Sequence, residues 1–144
     1  MKAADFFKDS DREKIQLAVK SAEQMTSGEI RVYIEDHSAT EILDRAAFIF
    51  EEMNMHTTEQ RNGVLIYIAF TDRQFAVIGD SGIHAIVGQD FWESVKDKML
   101  QHFKKSEFVE GITEAVHEAG RVLKDNFPFQ KGDSNELSDE VLIR

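Results

Sequence analysis

Between Gly63 and Gly82 the chain reads GVLIYIAFTDRQFAVIGDSG. The eight residues from Gly63 to Phe70 are apolar or glycine, too short for a helix by preference and rich in β-branched and aromatic types. A run of this kind suits a strand buried on both faces, which needs a covering layer above it and another below. The polar turn Thr71-Asp72-Arg73-Gln74 and a second apolar run, Phe75 to Ile78, make the segment a central hairpin. Gly79-Asp80-Ser81-Gly82 follows as a flexible loop that carries one carboxylate to the edge of the sheet. Any site is expected there.

The flanking segments supply the layers. Ser10-Asp11-Arg12-Glu13 matches a capping box, and Ile15, Ala18, Val19 and Ala22 follow at helical spacing, so a first helix runs to about Thr26 with Gly28 ending it. Glu29 to Glu35 alternates, with Ile30, Val32 and Ile34 on one side and the wetter Arg31, Tyr33 and Glu35 on the other. A second helix from about Thr40 buries Leu43, Ala46, Ala47, Phe50 and Met53. Asp90 can cap a third, with Phe91, Val95, Met99 and Phe103 on one face. A fourth starts at Ser106, turns Phe108, Ile112, Ala115, Val116, Ala119 and Val122 inward, and is stopped by Pro128. The strand-helix-strand unit predicts a parallel pair, and helices on both faces predict a three-layer α/β/α sandwich with a mixed sheet.

At 144 residues and 42% hydrophobic, residues 1–144 fit one domain. Residues 128–144 differ in kind: Asp133, Asn135, Glu136, Asp139 and Glu140 precede Val141-Leu142-Ile143. That segment is either a frayed acidic end or a crossing loop leading to an added edge strand. The absence of cysteine excludes disulfides and thiolate chemistry, and fits a cytoplasmic protein. No apolar segment is long enough to cross a bilayer. Acidic residues outnumber basic ones 27 to 17, giving a formal charge of −10. That charge argues against a nucleic-acid partner and favours cations, although it also serves plain solubility.

Familiar catalytic signatures fail. His117-Glu118 starts like H-E-x-x-H, but Arg121 stands where the second histidine must be. The spacing around Ser81 is not that of a nucleophile elbow, and no phosphate-binding P-loop exists. The five histidines form no close pair, though folding could bring His37 and His84 to one end of the sheet. The tail is no EF-hand, because Leu137 occupies a ligand position and Ser138 replaces the turn glycine. A site for Ca2+ or Mg2+ must therefore be assembled from separate loops. The candidates are Asp80 after the hairpin, Asp36 after the first strand, and Asp133, Asn135, Glu136, Asp139 and Glu140. Gly79 and Gly82 would let backbone carbonyls join the coordination sphere, and Asp36 sits where ligands gather in open α/β sheets. The alternative is that Asp80 merely caps or turns.

The stretches TSGEIRVYIEDH, RNGVLIYIAFTDRQFAVIGDSGI and HFKKSEFVEGI resemble the TPM domain over about residues 10 to 127. The resemblance implies a four-stranded α/β/α sandwich, one strand more than the core pattern supplies. MKAADFF offers no obvious N-terminal strand, which leaves Glu140 to Ile143 as the candidate. It also implies calcium binding in some members and hydrolysis of phosphate esters or nucleotides in others. Asp80 is an added negative charge in the family's loop, which favours a cation but repels a phosphate.

Three functions are therefore expected in order: a divalent-metal-binding module, a metal-dependent phosphohydrolase and a protein-interaction domain. In the first, the ion bridges Asp80 and the tail carboxylates with Asp36 contributing. In the second, Asp36, His37 or Asp80 assists and Arg31 or Arg73 steadies the transferred group.

Overall fold

The computed structural model describes residues 2–129 and 141–143. The apolar run becomes strand β2 (Gly63–Ala69), every residue of which is buried. Its parallel neighbour is β1 (Glu29–Glu35), with Glu29 beside Gly63 and Glu35 beside Ala69. On the other side β3 (Gln74–Gly79) returns antiparallel, placing Gly79 opposite Val64. The short strand β4 (Leu142–Ile143) lies parallel to β1 against Tyr33 and Ile34. The four-stranded sheet thus has the order β3-β2-β1-β4.

Alternation sorts the strand side chains into two cores. Ile30, Val32 and Ile34 join Val64, Ile66 and Ile68 against α2 (Asp9–Glu23), α4 (Ser81–Lys104) and α5 (Phe108–Asn126). Tyr33, Leu65, Tyr67 and Ala76 face Ala46, Ile49 and Phe50 of α3 (Ile42–Glu52). Helices on both faces make the expected three-layer sandwich.

Several details depart from the sequence pattern. MKAADFF contributes a short helix, α1 (Ala3–Phe6), so the fourth strand comes from the other terminus. Helix α2 begins earlier than the Ser10 pattern predicts, because the Asp11 carboxylate accepts from the Lys8 backbone N–H at 3.0 Å. Leu43 and Ala47 of α3, expected inward, are exposed, the inward stripe being Ala46, Ile49 and Phe50. The chain turns helical at Ser81, directly after Asp80, rather than remaining a loop, and α4 breaks at Gly88, where φ is +75°. Only glycine adopts that conformation without strain, so one residue divides the helix into two segments.

The turn from α4 to α5 is held by His102. Its Nδ1 lies 3.1 Å from Glu107 Oε1, and its Nε2 contacts Glu114 Oε2. Glu114 first and Glu107 second hold its pKa above the ordinary 6.5. A pKa raised by folding stabilises the fold fully below pH 6.5 and loses that contribution as pH rises through the folded value. An NMR titration should place the His102 midpoint above 6.5, and Glu114→Gln should move it back toward 6.5. A wild-type midpoint at or below 6.5 would contradict the contact.

Candidate functional site

Asp80 ends β3, and β3 runs against β2, so Asp80 reaches the end of the sheet where β1 and β2 begin. Its N–H donates to the Gly63 carbonyl at 2.8 Å. The carboxylate caps α4 by accepting from Ser81 N–H at 2.7 Å. Arg61 grips the same group with two bonds, Nε to Oδ2 at 2.7 Å and Nη2 to Oδ1 at 2.8 Å. Asp80 is 8% exposed. A guanidinium already occupies the place a metal ion would need, and a helix N-terminus disfavours further positive charge. As it stands, Asp80 does not suit a cation.

Asp36 lies at the opposite end, one residue past β1. Seven steps of strand separate the Gly63 and Phe70 rows, roughly 20 Å, so Asp36 and Asp80 cannot share an ion. His37 and His84 are divided in the same way. His37 follows β1, whereas His84 sits in the first turn of α4 and accepts from Trp92 Nε1–H at 2.9 Å. Asp133, Asn135, Glu136, Asp139 and Glu140 lie outside the described residues.

The end of β1 has the topology of a ligand site. The chain leaves β1 through α3 to reach β2 on one side, while β4 pairs on the other. The carboxyl ends of the parallel strands β4, β1 and β2 lie together at this rim, the end of an α/β sheet where ligands gather. Asp36 and the hairpin turn are knitted together at this rim, because the Asp36 carbonyl accepts from Thr71 N–H at 2.8 Å. Asp36 Oδ1 accepts from Ala3 N–H at 2.6 Å, and among the described residues Oδ2 has no partner. Asp72 Oδ1 meets His37 Nδ1 at 2.8 Å, and Oδ2 accepts from Ser38 N–H at 2.7 Å. Those two contacts, His37 before Ser38, lower the Asp72 pKa and keep it ionised.

Beneath the rim Glu35 is clamped from α3 and β2. Arg45 Nε and Nη2 donate to its carboxylate at 2.8 and 3.1 Å, and the Tyr67 hydroxyl donates to the same group. The Glu35 bond raises the Arg45 pKa, while burial is the main cause raising that of Tyr67. Both groups stay protonated and hold the rim's floor rigid. Among the described residues no group of three or more His, Asp or Glu side chains is placed to hold a metal ion. Two accessible carboxylates with oriented hydrogen bonds are what the rim offers.

Asp72 was hidden in the sequence as an ordinary turn residue. Arg31, a candidate for steadying a phosphoryl group, is 2% exposed between Glu23 and Glu29 and cannot reach a ligand at the surface. Arg73 is at the rim and exposed.

Comparison with known proteins agrees with this architecture. The sequence profile of the TPM domain matches residues 1–122. The solution structure of the BA42 protein from the psychrophilic bacterium Bizionia argentinensis is 36% identical, with a TM-score of 0.88 over 95% of this chain and 94% of that one. An N-terminal domain from P. gingivalis shares the fold at 16% identity, with a TM-score of 0.66 over 83% of this chain and 78% of that one. The N-terminal domain of cg2496 from Corynebacterium glutamicum shares it at 13% identity, TM-score 0.61, over 96% and 82%. A comparison with curated proteins gives no match.

Proposed function

Since the chain belongs to the TPM domain family, we propose that it is a cytoplasmic binding domain that takes a divalent cation, calcium or magnesium, at the carboxyl end of β1. The observation that carries this reading is the presence of two carboxylates, Asp36 and Asp72, on adjoining turns at the carboxyl end of the parallel strands. Asp36 Oδ2, unpartnered among the described residues, can ligate, and the hydrogen bonds to Asp72 orient that carboxylate as outer-sphere groups orient metal ligands. Two carboxylates suit a partly hydrated ion completed by carbonyls and water. The compartment rests on the absence of cysteine; among the described residues no helix is long and apolar enough to cross a membrane.

Titration with calcium and with magnesium, followed by amide NMR, tests the assignment. Shifts are expected at Asp36 to Ser38 and Thr71 to Arg73, lost in Asp36→Asn with Asp72→Asn and retained in Asp80→Asn. Shifts confined to Gly79–Gly82 would move the ion to the other end of the sheet, and shifts confined to Asp133–Glu140 would assign it to the acidic tail. No saturable shift with either ion would remove the cation from the reading.

A second reading, metal-dependent phosphohydrolysis, draws support from Arg73, which follows Asp72 in the same turn and makes no ion pair among the described residues. Magnesium-dependent phosphate release from phenyl phosphate, abolished by the paired Asp36 and Asp72 substitutions, is its expected result. Turnover that survives those substitutions would trace to a contaminant or to another site.

A further inference from the structure

Beside the rim, on the face covered by α4 and α5, lies an open cavity of about 320 Å³. Phe70, Phe75, Phe103 and Phe108 wall it, and Arg73 and Lys104 stand among its lining residues. Among the described residues no carboxylate lines it, in a chain that carries a formal charge of −10. We propose that this cavity is a binding site for a small organic anion, a carboxylate or phosphate monoester carried on an aromatic or short aliphatic body.

The walls fit the body. The phenylalanine rings meet in edge-on and tilted pairs: Phe75 with Phe103 at 5.1 Å, Phe103 with Phe108 at 5.2 Å, and Phe70 with Phe108 at 5.3 Å between centroids. These pairs fix the rings against the core, so the apolar surface stays open instead of collapsing. The volume is at the lower end of the range for small-molecule sites.

The two cations fit the charge. The Arg73 guanidinium lies 5.1 Å from the Phe70 ring centroid and 5.2 Å from that of Phe108. Stacked on aromatic faces, a guanidinium keeps its in-plane N–H fork free for a planar anion. Among the described residues neither the Arg73 nor the Lys104 side chain has an ion-pair or hydrogen-bond partner. Both cations are free to meet a ligand. Two lining residues, Arg73 at φ +56° and Ser106 at φ +61°, hold left-handed backbone conformations that non-glycine residues rarely adopt. Backbone of this kind gathers at ligand-holding loops.

This inference stands apart from the cation site, and its test is run with chelator present. The probes are phenylpropionate, phenyl phosphate and uncharged phenylpropanol, followed by side-chain and amide NMR shifts. Saturable shifts at Arg73, Leu100, Phe103 and Phe108 are expected with at least one anion below about 1 mM, and the tighter anion identifies the headgroup. Arg73→Gln with Lys104→Gln should weaken that anion by about tenfold or more while changing phenylpropanol little. Both side chains are exposed, so the double variant should fold, and its unshifted core amides would verify that. Equal binding of phenylpropanol and the anions, an unaffected double variant, or no saturable shift with either anion would overturn the proposal.

Discussion

Replacing Arg31 with methionine is expected to cost about 3–5 kcal/mol of folding stability. Arg31 is 2% exposed, with Nη1 2.8 Å from Glu23 and Nη2 3.3 Å from Glu29. Glu23 also accepts from Ile30 N–H at 3.0 Å, so the ion pair fastens the end of α2 to the start of β1. Without the guanidinium, two carboxylates that are 7% and 3% exposed lose the positive charge that each contacts. The variant must then hydrate them, and the helix-strand junction opens. Urea unfolding at neutral pH measures the loss, and a melt should fall by roughly 10 °C. Adding Glu23→Gln and Glu29→Gln to the methionine variant should restore much of it, because removing every charge avoids the uncompensated state. A loss under about 1 kcal/mol in the single variant would show that water reaches the cluster and that the pair is worth no more than a surface bridge.

Arg31 also marks where sequence reasoning stopped. Arg31, Tyr33 and Glu35 alternate with Ile30, Val32 and Ile34, and alternation normally signals a wet face. The pattern found the strand and its inward side correctly. It could not show that the polar side is roofed by α3, because a charged residue in water and one paired under a helix read alike. Tyr33 is 9% exposed and Arg31 less, and the Glu23 carboxylate that Arg31 meets and the Tyr67 ring beside Tyr33 lie on other elements. The hairpin, the parallel β1–β2 pair and the buried stripe of α5 were readable for the opposite reason. Each follows from local periodicity and the length of an apolar run.

The candidate site was only half readable. Asp36 follows directly from its place after a strand in an α/β sheet. Asp72 does not, because its role depends on the hairpin turn folding against the next strand's end, a contact between residues 34 positions apart. The aromatic cavity was equally hidden: Phe70, Phe75, Phe103 and Phe108 each read as a core residue of its own element. Only the packing of α4 on α5 leaves space among them.

Gly82→Ala is the second large effect, an expected net loss of about 2–3 kcal/mol. Glycines around Asp80 suggested a loop bending its carbonyls toward a metal, but Gly82 is helical and its backbone is unremarkable in φ. What it lacks is room. A Cβ there would lie 2.0 Å from the Gln60 carbonyl oxygen and 2.6 Å from that of Arg61. Both obstacles are main chain, so no side-chain rotation relieves them. The strand-side chain cannot retreat either, since Gly82 N–H donates to the Arg61 carbonyl at 2.8 Å and Arg61 holds Asp80 from the same segment. Alanine would stiffen the unfolded chain and recover about 0.4–1 kcal/mol of the clash, which the net figure includes. Chemical denaturation measures the loss, and hydrogen exchange should localise it to the first turn of α4, with β1 and β2 unaffected. Stability within about 0.5 kcal/mol of wild type would mean that the Arg61 segment can move. In that case Asp80 would no longer be pinned, and its exclusion as a metal ligand would lose its physical basis.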